Sequence, residues 1–440
     1  MEDILSSLDN KEITELLYLS LIEKSQKLKN LKDRLTLNNP NTLDEKLKSK
    51  LKTCEEEALK KFNTFNESVQ NQLSKTKPIR IYMDGVFDII HSGHFNAFRQ
   101  AQYLGDILVC GLNSDQDVAK AKGKTLMDIK ERSSLAGSSK WIGEIALDTP
   151  YTPSVETLDT YNCDYLAHGD DIPTNELGHT IYDDIIAKKR LRVFRRTEGI
   201  STTVIIGRLL LGMKDKFDAL DDKDPKNLEI KKSYVELENT SNLQYGTMQT
   251  LLTTSYRISE FSNKKLPKKG DKVIYICGEF DVLHQIHIEA LKKAKELGDY
   301  VYAGVYDDMT VNKRKGKYHP VLNINERCLN LLALKYIDDV IFGAPERITE
   351  DLIHNLNVNV VIKFVTPKMK EGKCDKEETN YEVAKKLGIL KEIEVSGELT
   401  NDVLSDRIWE NKEQYIKKYI KKIQKVDEHI KIDGQDVQQL

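Results

Sequence analysis

The sequence has little that would place the protein in a membrane, in the secretory pathway or on nucleic acid. It contains no apolar run of transmembrane length, and its N-terminal stretch has neither the basic nor the apolar region of a signal peptide. The six cysteines are scattered with no CxxC pair, which indicates reduced thiols and argues against a zinc site. A net charge of −3 argues against a general attraction to nucleic acid. We therefore expect a cytoplasmic globular protein.

One sequence signature occurs twice in the chain. Residues 81–94 read IYMDGVFDIIHSGH, and residues 274–287 read IYICGEFDVLHQIH. Gly85 and Gly278 are 193 residues apart (278 − 85). The same offset relates further pairs, namely Asp88 and Asp281, His91 and His284, Gly105 and Gly298, and Lys122 and Lys315. A constant offset indicates an internal duplication and predicts two similar domains.

Short apolar or β-branched runs alternate with helical patterns in both copies. The predicted strands cover 79–83, 107–111, 165–168 and 191–194 in the first copy, and 273–277, 300–305, 340–342 and 358–364 in the second. Strands that alternate with helices are typical of a parallel sheet. We therefore predict an α/β protein with two tandem domains, each built on a parallel sheet.

The rest of the chain divides around these two domains. Residues 1–76 contain no glycine and carry leucines at roughly helical spacing, which predicts a helical extension that packs on its own domain. A dimerisation or docking arm is the alternative. We predict a catalytic domain over 77–213, a linker with some structure over 214–270, and a second, degenerate domain over 271–411.

The tail, residues 412–440, is predicted to form a basic amphipathic helix. Its apolar face carries Tyr415, Ile416, Tyr419, Ile420 and Ile423, and its basic face carries Lys417, Lys418, Lys421, Lys422 and Lys425. Such a helix packs on its domain with solvated lysines, which we favour, or lies on an anionic membrane. Peripheral contact with the endoplasmic reticulum membrane and a homo-oligomer remain open as alternatives.

In the first copy, the loop after the first strand suits the close approach of a ligand. Gly85 lets the backbone come near the ligand, and the predicted contacts continue through Val86, Phe87 and Asp88. Lys122 follows the second strand and places a mobile cation near the same edge. These residues indicate a site for an anionic ligand.

Two histidines open the helix that follows this loop. His91 and His94 are three residues apart and share one face of the first turn. The helix dipole and the free N–H groups favour an anion there, and Gly93 leaves room for a phosphate or a base. The arrangement suits triphosphate binding and the stabilisation of charge on a transferring phosphorus.

Two further segments follow predicted strands of the first copy. Residues 165–171 read YLAHGDD, and residues 196–203 read RTEGISTT and begin a helix. The hydroxyl and N–H groups of the second segment form a phosphate cradle, and Arg196 adds a cation capable of bidentate contact. Ligands bind at the carboxyl ends of strands in open α/β sheets, where all these segments fall.

With these residues the chain resembles the cytidylyltransferase family of the nucleotidyltransferase superfamily. The two-copy layout, and the segment 156–164 followed by His168 and Gly169, are similar to the ethanolamine-phosphate cytidylyltransferases in particular. The resemblance covers about 77–213 strongly and 271–411 more weakly. It implies Rossmann-like nucleotidyltransferase domains in tandem, and an enzyme that joins CTP and phosphoethanolamine into CDP-ethanolamine for phosphatidylethanolamine synthesis. Pyrophosphate leaves after in-line attack on the α-phosphorus.

The resemblance also implies the roles of individual residues. The predicted catalytic residues are His91, His94, Lys122 and Arg196. The predicted CTP-binding residues are Gly85, Val86, Phe87, Asp88, Gly93, Arg132, His168, Gly169, Asp170, Thr197, Gly199, Ile200, Ser201, Thr202 and Thr203. Among these, Asp170 is expected to read the cytosine amino group, and Arg132 matches a family arginine near the phosphates. Mg²⁺ is expected with CTP, and no pattern names its ligands.

The amine end of the acceptor distinguishes two substrates. The predicted phosphoethanolamine-binding residues are Asp84, Lys122, Tyr151 and Tyr182. The choline enzymes usually have Trp where this chain has Tyr151, and a second Tyr where this chain has Thr174. A quaternary ammonium prefers an aromatic cage, whereas a primary ammonium has three N–H donors. This favours ethanolamine, with phosphocholine, another phosphoalcohol or a non-catalytic nucleotide-binding regulator as alternatives.

The second copy has lost several of these groups. Ile286 replaces Gly93, Cys277 replaces Asp84, and no arginine stands at the counterpart of Arg196. A branched side chain at Ile286 obstructs the space that a ligand needs. Six signature residues remain: Phe280, Asp281, His284, His287, Lys315 and Arg327. We predict a domain that keeps the fold and is catalytically silent.

Overall fold

Two five-stranded parallel sheets form the framework of the protein in the computed structural model. The structure describes residues 77–172, 174, 179–241, 251–367, 378–397 and 399–436. The predicted helical extension, residues 1–76, lies outside the described residues. The α/β class and the tandem arrangement are both confirmed.

The first sheet contains the first copy of the signature. Its strands are β1 (Arg80–Gly85), β2 (Ile107–Asn113), β3 (Glu144–Thr149), β4 (Tyr165–Gly169) and β5 (Leu191–Phe194). They are all parallel and lie in the order β3-β2-β1-β4-β5. The strand order reverses at β1, and this is the place where open α/β sheets bind ligands.

Six helices connect and cover this sheet. They are α1 (Ser92–Gln102), α2 (Asp115–Ala121), α3 (Ile129–Gly137), α4 (Val155–Thr160), α5 (Asp183–Ala187) and α6 (Thr202–Leu211). Side chains fix where the two helices nearest the strand ends begin. His91 caps α1 by accepting from Gly93 N, and Ser201 caps α6 by accepting from Val204 N.

Three helices lie in the segment that was predicted as a linker with some structure. They are α7 (Lys214–Asp218), α8 (Pro225–Ser241) and α9 (Leu251–Phe261). Phe217 and Phe261 are fully buried, and the hydroxyl of Tyr234 donates to Leu211 O at 3.0 Å. The segment therefore contributes to the core as well as connecting the two copies.

The second sheet repeats the topology of the first. Its strands are β6 (Val273–Gly278), β7 (Tyr300–Val305), β8 (Asp339–Phe342), β9 (Val360–Val365) and β10 (Leu390–Glu394), in the parallel order β10-β9-β6-β7-β8. Its helices are α10 (Gln285–Lys295), α11 (Asp308–Lys315), α12 (Ile324–Leu332), α13 (Glu350–Asn355), α14 (Glu382–Lys386) and α15 (Asn401–Glu410), with a 3₁₀ turn at Glu378–Tyr381.

Two strands were not predicted from the sequence, β3 and β10. Both lie at the edge of their sheet, and both carry charged residues, in EIALDT and LKEIE. An edge strand is only partly covered, so its sequence lacks the apolar run that marks the buried strands.

The two halves pack through pairs of equivalent contacts, in which the half that donates in one contact accepts in the other. Lys140 N donates to Ala333 O, and Lys335 N donates to Ser138 O, both at 3.0 Å. Such reciprocal pairing is what an isologous dimer interface shows between two subunits. Here the duplication places it within one chain, and residues 79–440 form one compact unit.

A pair of matching salt bridges repeats this exchange. Arg208 in α6 pairs with Glu326 of the second half at 2.8 Å, and Arg407 in α15 pairs with Glu131 of the first half at 2.6 Å. Helix α15 is the counterpart of α6, and both carboxylates also close the capping boxes of their own helices. The interface is thereby tied to the loops at the strand ends.

The last helix, α16 (Lys412–Asp436), packs on the first half of the molecule. Ile416, Tyr419 and Ile423 are buried at 0–1% exposure. The ring of Tyr419 lies over Gly207 of α6, where an added Cβ would come within 2.2 Å of it. The structure therefore agrees with the interpretation that this helix packs on the protein, and these apolar residues are not free to enter a membrane. Within the described residues, no helix is long and apolar enough to cross a membrane.

Candidate active site

A cavity of about 730 Å³ lies at the carboxyl ends of β1, β4 and β5. Its volume suits a small ligand such as a nucleotide. The predicted site residues that line it are Asp84, Gly85, Val86, Phe87, Asp88, His91, Gly93, His94, Lys122, His168, Gly169, Arg196, Thr197, Ile200, Ser201, Thr202 and Thr203. Five predicted residues do not line it, namely Arg132, Tyr151, Asp170, Tyr182 and Gly199.

The two histidines stand stacked at the start of α1 with unpaired nitrogens. Their ring centroids are 3.9 Å apart. His91 Nδ1 accepts from Gly93 N at 3.1 Å, which assigns the proton of the neutral ring to Nε2. His91 Nε2 and His94 Nδ1 are both buried without a hydrogen-bond partner among the described residues. Buried polar atoms are normally paired, so these nitrogens indicate a ligand.

Both histidines are neutral in the ligand-free protein. Burial and, to a smaller extent, the positive charges of Arg196 and Lys122 together lower the pKa of His94 to about 3. Burial also lowers the pKa of His91 well below its ordinary value, followed by the effects of His94 and Lys422. A neutral imidazole still donates one N–H, and a bound polyanion would raise both pKa values again.

Two cationic side chains, Lys122 and Arg196, line the cavity near the histidines. Lys122 lies 5.4 Å from the ring centroid of Tyr151, and among the described residues it forms no salt bridge. Arg196 pairs with Asp171 in the cavity wall, and its backbone N–H donates to Asp170 Oδ1 at 2.9 Å. Asp170 thus holds the loop that carries Arg196, and its exposed carboxylate stands outside the cavity.

Of the residues predicted to bind phosphoethanolamine, Asp84 and Lys122 line the cavity, whereas Tyr151 and Tyr182 lie outside its lining. Asp84 is in the cavity lining and accepts from Asn113 Nδ2 at 3.3 Å. Burial raises the pKa of Asp84 to about 6, against the opposing effects of Asn113 and His168. The ring of Tyr182 lies 5.0 Å from that of His168, and burial, followed by the charge of Asp84, raises the pKa of the tyrosine. The group is a carboxylate with polar and aromatic neighbours.

Asp88 holds the loop beside the cavity. Its two carboxylate oxygens accept from Leu126 N at 2.8 Å and Met127 N at 2.9 Å. In the second copy, Asp281 accepts from the two corresponding backbone N–H groups, also at 2.8 Å. A contact that is present in both copies belongs to the framework, and the carboxylate of Asp88 is engaged there.

Arg132 is fully buried and does not reach the cavity. Its guanidinium donates to Val86 O, Asn113 O and Asp115 Oδ1 at 2.6–2.8 Å. Arg327 makes the equivalent contacts in the second copy. The predicted contact between Arg132 and the nucleotide is therefore corrected: the arginine ties the loop after β1 to the end of β2.

The cavity wall also includes residues of α16 that sequence reasoning did not assign to the site, namely Tyr415, Lys418 and Lys422. Lys422 Nζ donates to Ser201 Oγ at 2.6 Å, and Lys418 Nζ donates to Lys122 O at 3.2 Å. The basic face of this helix was visible in the sequence. Nothing in its periodicity indicates which surface the face meets, because that depends on packing against a distant helix.

In the described part of the second copy, side chains occupy the space beside the histidines. The side chain of Ile286 is buried and fills the space beside Gly397, where an added Cβ would lie 2.8 Å from Ile286 Cγ1. Lys315, the counterpart of Lys122, is paired with Glu279. Both features agree with the predicted loss of the ligand site.

Both halves match a family model described as cytidylyltransferase-like, over residues 82–208 and 275–393. The ethanolamine-phosphate cytidylyltransferase of Dictyostelium discoideum is 40% identical over 344 residues, covering 77% of this chain and 93% of that relative. The corresponding protein of Arabidopsis thaliana is 36% identical, covering 80% and 85%. Choline-phosphate cytidylyltransferase 2 of Arabidopsis thaliana is 37% identical over 142 residues, only 31% of this chain and 46% of that relative.

Proposed function

The chain belongs to the ethanolamine-phosphate cytidylyltransferase family, and on that premise we infer that it is a nucleotidyltransferase acting on CTP and phosphoethanolamine. It transfers the cytidylyl group to phosphoethanolamine and yields CDP-ethanolamine and pyrophosphate. CDP-ethanolamine is the activated head group for phosphatidylethanolamine synthesis. The observation that carries the assignment is the pair of unpaired, buried imidazole nitrogens in a cationic cavity of the first half.

The reaction needs positioning and charge stabilisation. A phosphate oxygen of phosphoethanolamine forms a bond to the α-phosphorus of CTP. The bond between that phosphorus and the oxygen that bridges it to the β-phosphorus breaks. The electron pair leaves with pyrophosphate, so no covalent enzyme intermediate is required. Two anions must approach each other, and the protein has to offset that repulsion.

The residues of the cavity are suited to this task. The free N–H groups of His91 and His94 would donate to phosphate oxygens of the triphosphate. Lys122 and Arg196 would offset the charge that develops between donor and acceptor phosphates. The N-terminus of α6 adds backbone N–H groups and a favourable dipole, beginning at the cap residue Ser201.

The amine of phosphoethanolamine would be held by Asp84. A primary ammonium requires hydrogen-bond acceptors, and this partly buried carboxylate lies in the cavity lining beside His168 and Tyr182. An ammonium in contact would lower the pKa of Asp84 again and keep it ionised. This arrangement supports ethanolamine over choline as the amine.

Magnesium is proposed to enter with CTP. Among the described residues there is no group of three or more His, Cys, Asp or Glu side chains that could hold a metal ion. The cavity carboxylates of Asp88 and Asp171 are engaged by backbone N–H groups and by Arg196. Mg²⁺ commonly binds through substrate phosphates with few protein ligands, so the ion would shield the triphosphate.

The test is the release of pyrophosphate by the purified chain with CTP and Mg²⁺. We expect a strong preference for phosphoethanolamine over phosphocholine, and loss of turnover in His94→Ala. The matched control is His287→Ala, the counterpart in the second half, which should keep turnover. Equal turnover with phosphocholine would contradict the acceptor, and full activity of His94→Ala would contradict the site.

A further inference from the structure

The active-site cavity of the first half has one wall from the far end of the chain. Helix α16 follows the second α/β half in sequence, yet its buried residues Ile416, Tyr419 and Ile423 pack on α6. Tyr419 interlocks with Gly207, where no side chain could be accommodated without displacing the ring. This docking fixes the rotation of α16, and so decides which of its lysines face the cavity.

Lys422 stands at the N-terminus of α6 without a counter-charge. Its Nζ lies 2.6 Å from the Oγ of Ser201, and among the described residues no carboxylate pairs with it. The lysine is half-buried, and its pKa is lowered by burial and then by Arg196. A cation held against another cation and against the positive end of a helix is unfavourable unless an anion joins them.

Lys418 brings a second ammonium one turn earlier on the same helix. Its Nζ donates to the backbone oxygen of Lys122 at 3.2 Å and lines the same cavity. The helix thus spans from the loop of Lys122 to the start of α6. Both lysines therefore line the ligand space.

The neighbours of Lys422 place it on the side of the leaving group, and Lys418, one turn earlier, contacts the loop of Lys122. The charged groups that act on Asp84 are His168 and Lys122, which marks the acceptor side of the cavity. Lys422 instead neighbours Ser201, Arg196 and His91. In-line transfer puts the leaving pyrophosphate opposite the acceptor.

We propose that Lys422 and Lys418 bind the β- and γ-phosphates of CTP and the departing pyrophosphate, so that the C-terminal helix completes the active site of the first half. This rests on the proposed function for the identity of the nucleotide. The helix that carries both lysines directly follows α15 of the second half, which Arg407 ties to Glu131 of the first half.

The test compares Lys422→Met and Lys418→Met with Lys421→Met and Lys417→Met, which remove exposed lysines from the same helix. Calorimetry measures CTP and pyrophosphate binding, and steady-state kinetics measure KM for both substrates. We expect the dissociation constants of CTP and pyrophosphate to rise about 10- to 100-fold in the two cavity variants. KM for phosphoethanolamine and the thermal unfolding midpoint should stay unchanged, and Lys422→Arg should recover most of the affinity.

Three outcomes would overturn the proposal. The first is unchanged affinity for CTP and pyrophosphate in both cavity variants. The second is an equal loss in Lys421→Met and Lys417→Met, which would make the effect one of overall charge. The third is a rise confined to the KM of phosphoethanolamine, which would move the lysines to the acceptor side. Because binding is measured without turnover, inactivity of the wild-type protein with phosphoethanolamine would contradict the acceptor and leave this test decisive.

Discussion

The two α/β halves share a framework and differ where a ligand would bind. In both, an aspartate after the first strand holds two backbone N–H groups, and a buried arginine ties three chain segments together. The two histidine rings are also close together in both, with ring centroids 3.9 Å and 4.0 Å apart. The repeated signature therefore contains residues that maintain the framework and residues that face the ligand space. Comparing the two halves distinguishes one kind from the other.

The differences lie at positions that form the ligand site in the first half. Ile286 fills the space that Gly93 leaves open, and Glu279, at the position of Val86, neutralises Lys315. Cys277, at the position of Asp84, is buried near the hydroxyls of Tyr306 and Tyr381. The framework contacts are the same in both halves despite these substitutions, so they do not depend on a ligand.

Gly93→Ile should have the largest effect, since it transfers the obstruction of the second half to the first. A Cβ at Gly93 would already lie 2.9 Å from His91 Cε1 and 3.0 Å from Ile200 Cγ2. We expect kcat/KM for CTP to fall at least about 100-fold. The matched control, Ile286→Gly, should leave turnover unchanged, and a Gly93→Ile enzyme with wild-type kinetics would break the comparison.

Asp84→Asn should come next. It removes the carboxylate, which is also absent from the second half because Cys277 stands at the equivalent position. The asparagine side chain has a similar shape and keeps one acceptor oxygen. We expect KM for phosphoethanolamine to rise about 10- to 100-fold, because a charge-assisted hydrogen bond is lost, with little change for CTP. Steady-state kinetics with each substrate varied in turn would show it. A change confined to the KM of CTP would contradict the assignment of Asp84 to the amine of phosphoethanolamine.

Val86→Glu should have a smaller effect. Like Gly93→Ile, it transfers a feature of the second half to the first. The new carboxylate would stand where Glu279 pairs with Lys315, and would pair with Lys122. Withdrawing one cation from the site should raise the dissociation constant of CTP about tenfold. Val86→Gln, uncharged and of the same size, is the control. If both variants bind CTP alike, the obstruction is steric and the charge argument is wrong.

The pH dependence should give the smallest effect. Burial raises the pKa of Asp84 to about 6, so the carboxylate is ionised above that pH and neutral below it. The amine needs the ionised form, so kcat/KM for phosphoethanolamine should fall about fourfold from pH 7 to pH 5.5. The substrate phosphate titrates in the same range, so the profile is divided by that of Asp84→Asn. A flat ratio would show that Asp84 does not control the profile.

The sequence predicted the parts of the fold whose signal is local. The buried strands carry apolar runs, and the constant offset between the two signatures reveals the duplication. The edge strands β3 and β10 carry charges because they are only partly covered, so they were missed. The duplication could also have indicated the role of Arg132, which was predicted to bind the nucleotide. Its counterpart Arg327 is present in the second copy, where it makes the same contacts, so the arginine belongs to the framework.

The candidate site was predictable only where its residues lie near the strand ends of one copy. Lys418 and Lys422 reach the cavity through the packing of Tyr419 on Gly207, a contact between segments more than two hundred residues apart in sequence. The pairing of Lys315 with Glu279 was also unforeseen, because side-chain charge pairs across a loop leave no periodic signal.

The most direct test of the account is the number of CTP molecules bound per chain, measured by isothermal titration calorimetry with Mg²⁺. We predict one CTP per chain, abolished in Gly93→Ile and kept in His287→Ala. Two CTP molecules per chain, or binding that survives Gly93→Ile, would contradict the assignment of the nucleotide site to the first half alone.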